Sequence, residues 1–277
     1  MNKQYICKQR QINVMRSTYL SSQQRIALLI GVLIVSFIGL LFLEPIPQDP
    51  DYHLFADTRA FFGIPNFNDV ISNAGFALVG SIGFISIIRM SRRLLFVQPG
   101  DARPYLVLFL GVALVSLGST YYHWSPSTDR LLWDRLPMSV AFMAFAAAIV
   151  ADRVHSRAGN SWLLLILTGL GLASLLYWDQ TEQIGRSDLR FYAFVQFYPV
   201  LTLPLLLWLF PDHRYLPGKR IAWVFGWYGL SKVFEHYDVF IFKLLGYTVS
   251  GHTLKHLAAS ASAYVVLRTL STGEGGR

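Results

Sequence analysis

Apolar residues run along this chain in blocks about as long as a bilayer is thick, each closed by a short polar stretch. The first block, Ile26 to Leu43, holds eighteen residues without a charge and ends at Glu44-Pro45-Ile46-Pro47. Seven more follow, at roughly 69–90, 105–123, 134–151, 161–177, 192–210, 219–240 and 251–270. The breaks carry Pro99-Gly100, Ser125-Pro126, Gly159, Pro211 and Pro217-Gly218, residues that stop helices and turn the chain. This pattern predicts an all-α, polytopic membrane protein. Its parts are a basic tail over 1–25, a transmembrane helix over 26–43, a loop over 44–68, a seven-helix bundle over 69–270 and a short tail over 271–277. The 26–43 run is read as a retained helix. It is longer than the apolar region of a signal peptide, and no small-x-small cleavage site follows it.

Composition agrees with that picture. The 277 residues are 53% hydrophobic and 14% charged, against nearly a quarter charged in soluble domains. Mean hydropathy is +0.41. The net charge of +8 does not point to nucleic acid, because the basic residues are scattered between the apolar blocks. The single Cys7 excludes a disulfide framework and a thiolate zinc site. Threading eight spans alternately sorts the loops into two sets, one with sixteen Lys/Arg and four Asp/Glu, the other with eight and twelve. Basic loops stay on the cytoplasmic side. Both termini are therefore expected there, and the acidic loops on the periplasmic, luminal or outer side.

The polar residues then gather on the acidic side. Gly251-His252-Thr253-Leu254-Lys255-His256 opens the last apolar block. Two histidines four apart share a helix face, so both rings can reach one point. Ser119 and His123, again four apart, end the 105–123 span, and Asp134 begins the next. Three histidines, a serine and an acid thus reach one membrane level from three helices. Three neutral imidazoles with an open fourth position are the donor set of a catalytic zinc site, which lowers the pKa of water toward ~7. Asp134 is placed to move that water's proton, and Ser119 to bond a developing oxyanion or orient the ligand shell. Local alternatives exist. Ser119 can bond back to a carbonyl of its own helix, and Asp134 can cap a helix or pair with Arg130. Asp129 is a rival acid in the same loop.

Ser119-x-x-x-His123, Asp134 eleven residues on, and His252-x-x-x-His256 on the last helix resemble the alkaline ceramidases. These belong to a superfamily of seven-helix membrane hydrolases that includes the adiponectin-receptor-like proteins. Gly63-Ile64-Pro65-Asn66, Ile71-Ser72-Asn73, Trp133-Asp134-Arg135-Leu136-Pro137-Met138 and Ser250-Gly251 look like its bacterial ceramidase-like branch, and the resemblance covers about 52–270. It implies zinc on His123, His252 and His256, Asp134 as acid and base, Ser119 beside the metal, and a ceramide-like N-acyl lipid as substrate within the bilayer. A seven-helix lipid receptor or binding protein with a structural zinc site is the alternative. An ion or proton relay is a third reading, weakened because the acids cluster at one face. The helix 26–43 is extra to the seven. Animal members of the family also bind calcium through an acidic cluster. Here Asp57 and Asn66 are the corresponding candidates, with a solvated acidic loop preferred. Glu235 or Asp238 is expected to accept the second ring N–H of a zinc histidine, or else Lys232 and Glu235 form an ion pair along their helix.

Overall fold

The computed structural model of the protein describes residues 20–273. Most of the basic tail predicted over 1–25, and residues 274–277 of the C-terminal tail, lie outside the described residues. Two compact units are present, ending and beginning at Glu44 and Pro45.

In the first unit, α1 (Ser22–Leu41) starts at a reciprocal cap. Ser21 accepts from the Gln24 main chain, and the Gln24 side chain accepts from the Ser21 N–H. Its apolar residues occupy the whole circumference, a composition that suits a membrane span.

The second unit is all helix in its regular structure. A 3-10 turn, Pro50–His53, is followed by α2 (Phe67–Ser72), α3 (Ala74–Arg92), α4 (Ala102–Trp124), α5 (Thr128–Arg153), α6 (Ser156–Gly159) and α7 (Trp162–Gln183). Then come α8 (Arg190–Leu209), α9 (Gly218–His236), α10 (Asp238–Leu244) and α11 (Gly251–Thr272). The closest packing runs α9–α11–α3–α4–α5–α7–α8. Among the described residues, six helical stretches are long and apolar enough to cross a membrane: Ser22–Leu41, Phe67–Arg92, Pro99–Trp124, Thr128–Arg153, Ser156–Gln183 and Arg190–Leu209. The chain is therefore an all-α, polytopic membrane protein. Helices α9 and α11 are as long but more polar, because Lys219, Arg220, Lys232 and Glu235 lie on one, and Lys255 and a run of serines and threonines on the other. They pack along each other, and α11 also packs on α3.

Two expectations change at element boundaries. The 219–240 span is broken at Tyr237, where α9 ends and the separate α10 begins with Asp238 in its first turn. Helix α5 begins at Thr128, capped by Ser127, whose side chain accepts from the Arg130 N–H. Asp134 therefore lies inside the helix and is not its cap.

Candidate metal centre

His123 reaches the centre from the last turn of α4, and His252 and His256 from the first two turns of α11. All three side chains are buried. One ligand nitrogen from each lies within 4.8 Å of the others, and the ring centroids are 4.7 to 4.9 Å apart. The Nε2 atoms of His123 and His252 are 3.2 Å apart. Ligand nitrogens at ~2.0–2.1 Å around a tetrahedral ion would stand about 3.3–3.4 Å from one another, so this spacing suits two ligands of one ion. The Nδ1 of His123 is buried and has no hydrogen-bond partner among the described residues. Three converging imidazoles, two of them nitrogen to nitrogen, fit a metal ion, and these residues can hold one.

The loop and helix ends that orient the rings come from distant parts of the chain. Ser72, at the end of α2, donates its hydroxyl to the Asp69 carbonyl and lies 2.7 Å from Nδ1 of His256. With its only proton used, the Ser72 oxygen accepts from Nδ1–H, which leaves Nε2 of His256 as the free lone pair facing the centre. The N-terminus of α11 is held by two carboxylates that are not its own. Asp238 accepts the His252 main-chain N–H at 2.7 Å, and buried Asp69 accepts from Thr253 Oγ1 at 2.7 Å and from Ser250 Oγ. Negative charge there complements the helix dipole. A Cβ on Gly251 would stand 2.3 Å from the Phe234 carbonyl oxygen and 2.7 Å from the Asp238 Cα. Only glycine lets α11 start this close to α9 and α10.

Ser119 and Asp134 meet across a similar close approach. Pro137 has no N–H to give the carbonyl of Trp133 one turn earlier, and that carbonyl oxygen points at Gly118 of α4, where a Cβ would come within 2.0 Å. The next residue on each helix is a site residue, so this close approach brings Ser119 and Asp134 to the same cavity. Ser116 and Ser139 instead spend their hydroxyls on carbonyls of their own helices. The rival acid is removed by position: Asp129 is exposed in the first turn of α5. Arg130 bonds the Tyr121 carbonyl and lies over its ring, and it has no ion pair with Asp134 among the described residues.

Ser119, Asp134 and His256 line one cavity of about 430 Å³ between α4, α5, α8, α9 and α11. Its far walls are apolar, including Val112, Phe142, Phe145, Leu203, Val224 and Val266. At the histidine end, Glu235 bridges Lys232 at 2.7 Å and Lys255 at 3.2 Å. Neither expected acid therefore takes a ring N–H. Glu235 is bound to two lysines, so the ion pair along α9 is present, and Asp238 holds the His252 main chain rather than its imidazole.

Residues 52–68 fold over the centre as a packed cover. Phe55 lies on the rings of His123 and His252, at 4.8 and 4.4 Å between centroids. The Ala56 N–H donates to Asp238, and His53 bridges Tyr122 and Thr128. Burial, then the Arg135 guanidinium, lowers the His53 pKa below the ordinary imidazole value. Asp57 and Asn66, proposed for a hard cation, are each engaged elsewhere. Both Asp57 oxygens accept from Arg59 and one also from Asn68, while Asn66 donates to the His123 carbonyl. Burial of Asp57 acts to raise its pKa, but these hydrogen bonds and the Arg59 charge outweigh it and hold the carboxyl below its usual range. Of the acids in the expected solvated loop, Asp49 and Asp51 are exposed, whereas Asp57 is buried.

Comparison with known protein families and with curated protein sequences finds no match to this chain. The site therefore stands on its own geometry. That geometry adds Ser72, Asp69 and Phe55, to which the sequence reading gave no role at the centre. An acid in the first turn of an apolar segment is costly without a use, so Asp69 was the one available signal.

Proposed function

We propose that this chain is a zinc-dependent membrane amidohydrolase that cleaves the amide of a ceramide or ceramide-like N-acyl lipid to a fatty acid and a sphingoid base. The observation that carries the proposal is the cluster of three buried imidazoles, one of which, His256, lines a largely apolar cavity together with Ser119 and Asp134. His123, His252 and His256 would hold the zinc ion, which when bound supplies Lewis acidity and a water acidified toward ~7. The apolar walls take the chains and leave the amide at the polar end. Asp134 accepts the proton of the attacking water and delivers it to the amide nitrogen as the C–N bond breaks, while the water oxygen stays with the acyl carbon. Ser119, which lines the same cavity, bonds the developing oxyanion or orients the ligand shell. Phe55 and the cover over the rings exclude bulk water from that end. Among the described residues α8 and α9 pack on each other only weakly and meet through the Gln196–Tyr228 hydrogen bond; the lipid enters the cavity sideways between them. The charge distribution of the loops supports a reading with the centre on the periplasmic, luminal or outer side and both termini cytoplasmic.

The test is metal analysis and lipid-amide hydrolysis by the purified full-length protein. His252→Ala and His256→Ala should lose metal and turnover together. Asp134→Asn should keep the metal and lose turnover by about a hundredfold or more. Undiminished turnover in the histidine variants would remove zinc from the mechanism. Bound lipid that is never cleaved, with metal present, would favour a receptor or binding protein.

A further inference from the structure

The cavity wall carries five side chains with formal charge: Asp134, Arg135, Lys232, Glu235 and Lys255. Three are cations and two are acids, so the wall has one positive charge in excess, before any metal is counted. Glu235 is shared between Lys232 and Lys255. Arg135 is buried and has no carboxylate within ion-pair distance among the described residues. Its hydrogen bond is to Gln48 Oε1 at 2.8 Å, and the rings of Tyr52, Trp178 and Tyr192 cover it at 4.8 to 5.1 Å. A guanidinium has five N–H donors. Buried cations are normally paired, and an excess charge in an apolar cavity attracts an opposite charge far more strongly than it would in water.

The charged groups sit at one end of the cavity. Lys255 immediately precedes His256 on α11, Lys232 and Glu235 face it from α9, and Arg135 follows Asp134 on α5. The rest of the wall is mostly apolar, with Gln196, Tyr228, Ser231 and Ser262 among its polar side chains. The shape and charge together fit an amphiphile with an apolar chain and an anion beside the reacting amide.

We propose that the lipid taken by this cavity carries an anionic headgroup, a carboxylate or a phosphate, received by Lys232, Lys255 and Arg135. The assignment of its amide as the bond cleaved rests on the hydrolase reading above. The headgroup contact itself does not need turnover. A neutral ceramide fills the apolar part and leaves the excess charge without a partner.

The experiment compares two amides with the same chain, N-hexadecanoylglycine, which ends in a carboxylate, and N-hexadecanoylethanolamine, which ends in a hydroxyl. Their equilibrium Kd values are measured on the full-length protein in neutral detergent, and hydrolysis of each is measured separately. The native protein should bind the carboxylate about ten- to hundredfold more tightly, the range of a hydrogen bond to a charged group. Lys232→Gln should reduce that ratio and Lys232→Arg should restore it. Glu235→Gln, which raises the excess charge, should increase it. Misfolding cannot move the ratio in opposite directions in two neighbouring variants. A native ratio near one, or a ratio that moves the same way in Lys232→Gln and Glu235→Gln, overturns the proposal. So does a charge effect confined to binding of free hexadecanoate, which would assign the cations to the released acid. Cleavage of neutral ceramide with a ratio near one would leave the hydrolase reading standing alone, whereas tight carboxylate binding without cleavage would do the reverse.

Discussion

Replacing Ser72 by alanine tests the metal centre at a residue that touches no metal. In the native structure Nδ1 of His256 lies 2.7 Å from the Ser72 oxygen, whose own proton goes to the Asp69 carbonyl. Ser72→Ala leaves the ring N–H buried without that acceptor, a loss of about 1–3 kcal/mol if nothing replaces it. Partners of this kind typically contribute ten- to hundredfold in metal affinity. The Asp69 main-chain carbonyl also lies in reach of the His256 ring and can take over part of the bond. The expected loss is therefore about tenfold, at the lower end of that range. The assay is a competitive zinc titration against a chelator of known affinity, in detergent at constant pH. Ser116→Ala is the control, because that hydroxyl bonds the Ala113 carbonyl of its own helix, and its zinc affinity should be unchanged. Zinc affinity in Ser72→Ala within twofold of native would refute the reasoning. It would mean either that Ser72 does not fix the tautomer or that His256 is not a ligand.

Other perturbations probe the surrounding frame. In Gly118→Ala the new Cβ would lie 2.0 Å from the Trp133 oxygen, 1.4 Å short of the 3.4 Å at which ordinary contact begins. Both partners are backbone, so α4 and α5 must part, at about 1–3 kcal/mol or more. A lower melting temperature and weaker turnover with metal retained are expected, against no loss of stability in Gly226→Ala, where nothing lies within 4 Å. A third prediction concerns acid. The folded pKa of His53 lies below its unfolded value near 6.5, so on acidification the unfolded chain takes up the proton first. Its contribution to stability is complete above about 6.5 and is lost as pH falls through the lower folded value. Thermal melts from pH 7.5 to 5 should show native protein losing more stability than His53→Gln. Parallel curves would remove His53 as the cause.

The five residues of the centre were legible because each helix carries its own part of the signal. Ser119 and His123 are four apart, as are His252 and His256, and polar groups at the mouths of apolar segments are conspicuous. What orients them was not legible, because Ser72 and His256 are 184 positions apart and nothing local in either stretch announces the other. The loop over 44–68 reads as solvated from its acids and turns. In the structure, Asp57 is buried under Arg59 and Asn68, and Phe55 lies on two of the histidines. Spacing pointed to Glu235 and Asp238 as partners for ring nitrogens. It could not show that Lys255, on the far helix, would claim Glu235, or that the N-terminus of α11 would claim Asp238.

That division has a physical origin that also explains why α9 and α11 are the least apolar of the long helices. Helix α1 is apolar almost throughout. Helix α11 carries two of the three histidines, and the groups that neutralise and position them come from α11 itself and from α2, α9 and α10, because in a bilayer those groups cannot be left to water. Lys232, Glu235 and Lys255 share charge across the α9–α11 contact, while Asp238 and Asp69 hold the start of α11. The polarity that weakens these two helices as membrane spans is thus the same polarity that fixes His252 and His256 in place. Neutralising the whole triad at once, with Lys232→Met, Glu235→Gln and Lys255→Met, should make α9 and α11 more apolar without cavities, since the volumes are nearly kept. If the triad serves the cavity rather than the fold, that variant should be at least as heat-stable as the native protein. It should also lose the preference for the carboxylate amide. A large drop in melting temperature would instead assign the three charges to holding the helices together.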